Sequence, residues 1–224
     1  MGLTQEGNKR KSALLDIALD LFSAKGYIDT PIQEIISAAG VSKGAFYHYF
    51  KSKEEVLDQI IDRYIIEIIE LSNRIADNPK LSALEKYKLL FTEIQLKRAA
   101  NREKFKFLLK MLLSEKNCLF INRYTEKSIR MTISPYSKIL AQGMREGIFK
   151  INNPEETAEL IIRFGTLYRT KLSKIYEQVS NTPEIKKEIP GLIEFMQDTV
   201  ERLLGVTSGT FDFIADSYKR QFNI

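Results

Sequence analysis

Lys43, Tyr47 and His48 stand close together in the stretch AAGVSKGAFYHYFKSKEEV, Ala38 to Val56, and His48 is the only histidine of the chain. This set cannot run the common hydrolytic or metal chemistries. One histidine excludes a His-pair metal site, and no Cys-x-x-Cys, Gly-x-Ser-x-Gly or phosphate-cradling Gly-rich loop is present. The acidic pairs Glu54-Glu55 and Glu155-Glu156 fall at helix starts, where capping accounts for them. No catalytic residue, metal or cofactor is expected. The chemistry left is non-covalent recognition. A lysine offers charge to a phosphate or a hydrogen bond to guanine, and a phenol and an imidazole offer donors to phosphate oxygens.

The surrounding residues predict how this set is held. Thr30-Pro31 opens a short helix to Ala39, Gly40-Val41 makes a tight turn, and Ser42 caps a second short helix, Lys43 to Tyr49. Two short helices joined by a glycine turn form a helix-turn-helix, whose second helix enters the major groove. Ala38 and Ala39 are expected to let the helices cross closely, and Val41 to plug a small core. Phe46, Tyr49 and Phe50 are expected to anchor the second helix, with Lys43, Tyr47 and His48 facing out. Gly44 would let the backbone approach DNA. Thr30 and Lys53, at the starts of the flanking helices, are expected to bind phosphates. Lys9, Arg10 and Lys11 read as a basic arm that follows the backbone or reaches a minor groove.

The rest of the chain repeats apolar residues at helical spacing. Stripes run through Leu14 to Phe22, Leu57 to Ile75, Leu160 to Ile175 and Leu192 to Leu204. No strand-like alternation bounded by turns occurs, so the fold class is all-α. The three short helices of residues 1–53 predict a helix-turn-helix DNA-binding domain. Residues 54–224 predict a larger helical ligand-binding and dimerisation domain, with the fourth helix shared. Ser52 with Glu55 is a capping box, and Asn153-Pro154-Glu155-Glu156 a strong helix start. A helix is expected from Asn101 to about Ser114 and another from Thr182-Pro183-Glu184 to Gly205. Ser134-Pro135 should interrupt or kink the helix between Cys118 and Gly147, and the tail from Thr210 to Phe222 should add a short one.

With 224 residues, 44% hydrophobic and 28% charged, the composition is that of a globular protein. The net charge of +5 permits an anionic partner. Residues 80–116 carry ten Lys or Arg against four Asp or Glu, so much of that charge lies away from the reading helix. The single cysteine, Cys118, cannot form an internal disulfide. The stretch Met1 to Ser12 has no apolar core of a secretory signal, and Glu6 breaks a myristoylation pattern. No apolar run reaches the ~20 residues of a membrane helix. A cytoplasmic protein without a membrane partner is expected.

The stretch GYIDTPIQEIISAAGVSKGAFYHYFKSKEEV resembles the N-terminal domain of TetR-family transcriptional regulators over about residues 10 to 60. The motifs that carry the resemblance are Gly-Tyr after the first helix, the Ala-Gly-Val-Ser turn, the Gly-x-x-Tyr-x-x-Phe helix and the Lys-x-Glu that follows. The resemblance implies a homodimer on a near-palindromic double-stranded DNA operator, repression of a promoter, and release by a small-molecule effector bound in the C-terminal body. It places Thr30, Ser42, Lys43, Gly44, Ala45, Tyr47, His48 and Lys53 at the DNA. Ile36 stands where the pattern often has Ala and requires repacking. Ala45 stands where Thr or Ser is common and removes one contact.

Helices 155–179 and 184–204 are expected to form a four-helix interface between two subunits. Phe105, Leu108, Met111, Leu112, Phe164 and Tyr168 are the candidate walls of an effector pocket, and Arg163 and Arg169 candidate partners for an anionic group. The competing reading is a helical small-molecule-binding or interaction protein whose helix-turn-helix no longer binds DNA. Lys43, Tyr47, His48 and Lys53 argue against it, since apolar or acidic residues there would have favoured it.

Overall fold

A computed structural model describes residues 5–100, 118–179 and 187–222. Nine helices and no strand occur among them: α1 (Gln5–Lys25), α2 (Ile32–Ala38), α3 (Lys43–Tyr49), α4 (Lys53–Ala76), α5 (Ala83–Ala100), α6 (Cys118–Arg145), α7 (Pro154–Val179), α8 (Glu188–Leu204) and α9 (Asp212–Phe222). The fold is all-α. The chain divides into two compact units, Met1–Ile66 with Phe107–Tyr124, and Glu67–Lys106 with Thr125–Ile224, so α4 and α6 each run from one unit into the other.

In the first unit α1 packs on α2 and α2 on α3. Leu14, Ala18 and Phe22 of α1, Ile35 and Ile36 of α2, Phe46 of α3, and Leu57, Ile60 and Ile61 of α4 are all buried. Ile36, at 4% exposure, is accommodated as core. Ala38 is exposed and Ala39 half-buried, so the pair does not form the close crossing expected of it. Instead, Ala39 and Gly40 close the end of α2. Gly40 takes φ +63°, its N–H donates to the Ser37 carbonyl at 3.1 Å, and the Val41 N–H donates to the Ile36 carbonyl at 3.3 Å. That pair of bonds is a Schellman cap, which needs the left-handed conformation glycine adopts without strain.

The second unit is a larger core of α4 after Glu67, α5, and α6 to α9. The Tyr87 and Phe211 rings stack at 4.8 Å, with Phe149 and Phe213 packed around them. Helix α9 packs on α8 and α5, and α7 on α8. Asn153 caps α7 as expected, its Oδ1 accepting the Glu155 and Glu156 N–H groups, both at 3.1 Å. A capping box opens α5, where the Glu85 N–H donates to Ser82 Oγ and the Ser82 N–H to Glu85 Oε2. Among the described residues two charged side chains are buried. Lys86 donates to the Ala76 carbonyl at the end of α4 and to Gln142 Oε1, both at 2.7 Å. Glu201 accepts the Phe211 N–H at 2.7 Å and the Gly209 N–H at 3.2 Å, pinning the turn before α9.

Two expectations about helix ends need correcting. Helix α6 is continuous through Pro135, which removes the interruption from the two outcomes expected there. Proline removes one N–H, so only the Met131 carbonyl loses its helical donor, and the flanking turns hold. Lys9, Arg10 and Lys11 are not an extended arm. They lie within α1, where Arg10 pairs with Glu6 at 2.6 Å. Lysine and arginine favour helix, and the i, i+4 pairing adds to it. The expected helix 101–114 and the start at Thr182-Pro183-Glu184 lie outside the described residues.

Candidate nucleic-acid interface

Seven residues, Lys43 to Tyr49, form the helix that carries the site. Ser42 caps it, its Oγ accepting the Ala45 N–H at 3.1 Å. The helix is held from beneath by two aromatic rings. Phe46 and Phe50 are buried and meet at 5.5 Å between centroids, and Tyr49 is half-buried beside Phe50. A helix fixed on that side must present the opposite one. Ser42, Lys43, Gly44, Tyr47 and His48 are exposed together, with Ala45 half-buried. Tyr47 meets the Phe46 ring edge-on at 5.5 Å, and His48 meets Tyr49 the same way at 5.2 Å. Ring contacts of this kind orient the two polar tips without using their hydrogen-bonding atoms.

Gly44 is the one position on this face without a side chain. A Cβ built there meets only Ser42 Oγ, at 4.0 Å. The glycine is therefore not demanded by packing within the protomer. Lys51, exposed just after α3, adds a charge beside the face that the sequence reading passed over. Its lysine character beside Phe50 was the available signal.

Two of the expected DNA ligands have partners within the protein. Thr30 is fully buried, and its hydroxyl donates to the Gly26 carbonyl at 2.7 Å, so it does not face a phosphate. It closes the turn between α1 and α2. The residue at the N-cap of α2 is Pro31, which has no side-chain acceptor. The ammonium of Lys53 donates to the carbonyls of Tyr27, Ile28 and Thr30 at 2.8, 3.2 and 2.9 Å. It also lies 4.5 Å from the centroid of the Tyr27 ring. Burial, followed by the neighbouring Glu54 carboxylate, pushes the Tyr27 phenol up to about 12. Glu54 is held below the usual carboxylate range, first by its own backbone N–H and then by Ser52.

The candidate effector residues divide. Phe105, Leu108, Met111 and Leu112 lie outside the described residues. Phe164 and Tyr168 are half-buried on α7 with rings 4.5 Å apart, and Tyr168 stacks on Phe195 of α8 at 5.7 Å. Leu160 and Leu167, expected to be part of one apolar stripe with them, are 54% and 64% exposed, and Phe195 is 53% exposed. The buried face of α7 is Ala158, Ile161, Leu172 and Ile175, of which Ile175 belongs to the expected stripe. Arg163 pairs with Glu159 at 2.7 Å and Glu126 at 3.0 Å. These three line an open groove of about 400 Å³ with Ile129, Arg130 and Ile133. Arg169 donates to Thr166 Oγ1 at 3.2 Å.

With this geometry in place, comparison with known proteins is decisive for the family. Residues 14–60 match the family model for bacterial regulatory proteins of the tetR family, and residues 99–180 match that for the tetracyclin repressor-like C-terminal domain. The chain belongs to the TetR family. Its reading head is most similar to relatives over short stretches. It is 47% identical over 58 residues to the Bacillus subtilis (strain 168) HTH-type transcriptional regulator YerO, 26% of this chain and 20% of that protein. The Mycobacterium tuberculosis HTH-type transcriptional repressor KstR2 is 26% identical over 160 residues, 70% of this chain and 76% of that protein. The solved SmeT–triclosan complex superposes with a TM-score of 0.64 at 18% identity, covering 91% of this chain and 94% of that one. SmeT is described as the repressor of a Stenotrophomonas maltophilia multidrug efflux pump. This TetR-family chain is accordingly a DNA-binding transcriptional regulator. Among the described residues no helix is long and apolar enough to cross a membrane.

Proposed function

We propose that this TetR-family chain is a cytoplasmic repressor, not an enzyme, that binds a near-palindromic operator as a homodimer and leaves it when a small molecule binds the helical body. The observation that carries the reading is the two-sided α3. Phe46 and Phe50 lock one side into the core, while Lys43, Gly44, Tyr47 and His48 stand free on the other. Lysine and histidine supply charge and donors to phosphates or guanine, and Tyr47 a donor to a phosphate oxygen. The repressor names of KstR2 and SmeT favour repression over activation.

The dimer is supported by the exposed Leu160, Leu167 and Phe195 on α7 and α8. Large apolar side chains exposed together on a helix pair mark a contact surface. Two reading helices must lie ~34–36 Å apart to enter successive major grooves. An effector that binds better to a protein with another spacing shifts the population away from DNA. Phe164 and Tyr168, with Phe105, Leu108, Met111 and Leu112, are the proposed effector walls. The test is selection of duplexes from a random-sequence library by the purified protein. Enrichment of one inverted repeat supports the reading. Recovery of unenriched DNA that salt removes leaves only the phosphate attraction and rejects it.

A further inference from the structure

We propose that Lys53 is a positioning residue of the reading head and not a phosphate ligand. The proposal rests on the DNA-binding reading above. An ammonium has three N–H donors. In Lys53 all three have acceptors: the Tyr27 carbonyl at 2.8 Å, the Thr30 carbonyl at 2.9 Å and the Ile28 carbonyl at 3.2 Å. The Tyr27 ring also lies against the ammonium, its centroid 4.5 Å from Nζ. A phosphate could be reached only by giving up at least one of these carbonyls.

The location explains the arrangement. Lys53 opens α4, where the helix dipole disfavours a cation. Three carbonyl dipoles and an aromatic face offset that penalty. Their owners form the turn between α1 and α2. The turn is fixed from its other side as well. Tyr27 is buried against Phe22 with ring centroids 5.2 Å apart, and the Thr30 hydroxyl holds the Gly26 carbonyl. The turn sets where α2 begins, and α2 packs on α3. Lys53 therefore ties the start of α4 to the turn that positions the reading helix.

The test compares Lys53→Met, Lys53→Arg and Lys43→Met with the wild type. Each is titrated against the duplex that the wild-type protein selects, over a series of KCl concentrations. Amide hydrogen exchange at residues 27–36 is followed without DNA. The proposal predicts that Lys53→Met weakens binding at least tenfold, leaves the salt slope at its wild-type value, and speeds exchange at 27–36 at least tenfold. Lys43→Met should lower the slope by about one and leave exchange unchanged. Lys53→Arg keeps the charge, but a flat guanidinium does not converge three donors on three carbonyls. It should still weaken binding and speed exchange, and it decides the matter if Lys53→Met does not fold. A slope lowered by about one in Lys53→Met with unchanged exchange overturns the proposal, as does wild-type affinity and exchange in Lys53→Arg. If the wild type selects no duplex, the DNA-binding reading fails, and the exchange at 27–36 alone still decides whether Lys53 holds the turn.

Discussion

Phe46 and Tyr47, neighbours in sequence, meet edge to face at 5.5 Å with one ring sealed in the core and the other 44% exposed. Their roles should separate cleanly under mutation. Phe46→Ala is expected to destabilise the fold by about 3–5 kcal/mol. Tyr47→Ala is expected to leave stability within about 1 kcal/mol but to weaken operator binding by roughly tenfold or more, the loss of one good polar contact. Chemical denaturation beside a DNA titration measures both. Equal destabilisation by the two substitutions would contradict the two-sided helix.

Gly44 gives a complementary prediction. A Cβ there meets only Ser42 Oγ, at 4.0 Å, within the protomer. Gly44→Ala in a helix should therefore raise stability by about 0.5–1 kcal/mol. It should nevertheless weaken DNA binding, because the added methyl stands where the backbone approaches the duplex. A rise in melting temperature together with undiminished affinity would show that DNA does not come close at this residue.

Alkaline pH probes the tyrosine beside Lys53. Burial raises Tyr27 to about 12, and burial does the same for Tyr64. A phenol whose folded value lies above its unfolded value of about 10 stabilises the fold fully below that value. The contribution is lost as pH rises through about 12. Stability should fall across this window, and Tyr27→Phe should flatten part of the fall. Phenolate absorbance followed against pH reports the same group. Ionisation of every tyrosine near 10 would contradict the burial.

The subunit contact is tested by charge. Leu160→Asp with Leu167→Asp places two carboxylates on the exposed face of α7 and leaves Ala158, Ile161, Leu172 and Ile175 in the core. Sedimentation should show monomers with unchanged helicity, and operator affinity should fall because two half-sites are no longer engaged together. A dimer that survives both substitutions would move the interface elsewhere.

Much of this was legible in the residues because the signals were local. Ser42 and Asn153 act on backbone groups a few positions away and cap the helices they were expected to cap, and Gly40 makes the turn expected of it. Thr30 was misread for the opposite reason, and the partners of Lys53 were hidden by the same one. A lysine at a helix start resembles a solvated charge, but its acceptors lie 23 to 26 residues earlier in the chain. Thr30 resembles a cap, yet its hydroxyl turns back to Gly26. Glu201 and Lys86 escaped notice because a single charged residue in a helix gives no sign of a distant carbonyl or N–H. Leu160 and Leu167 share the period of a core stripe, and periodicity alone does not distinguish a core from a surface awaiting a partner. The capping box at Ser82 and Glu85 was readable and local, and was passed over among the many charges of that segment.

The central claim is that the exposed face of α3 reads DNA. The most direct measurement is footprinting of the selected duplex by the wild type and by a Lys43→Ala, Tyr47→Ala variant, with circular dichroism of both proteins. The account predicts two protected half-sites one helical turn apart for the wild type. It predicts no protection by the variant at the same concentration, with unchanged helicity. Protection by a folded variant that matches the wild type would contradict it.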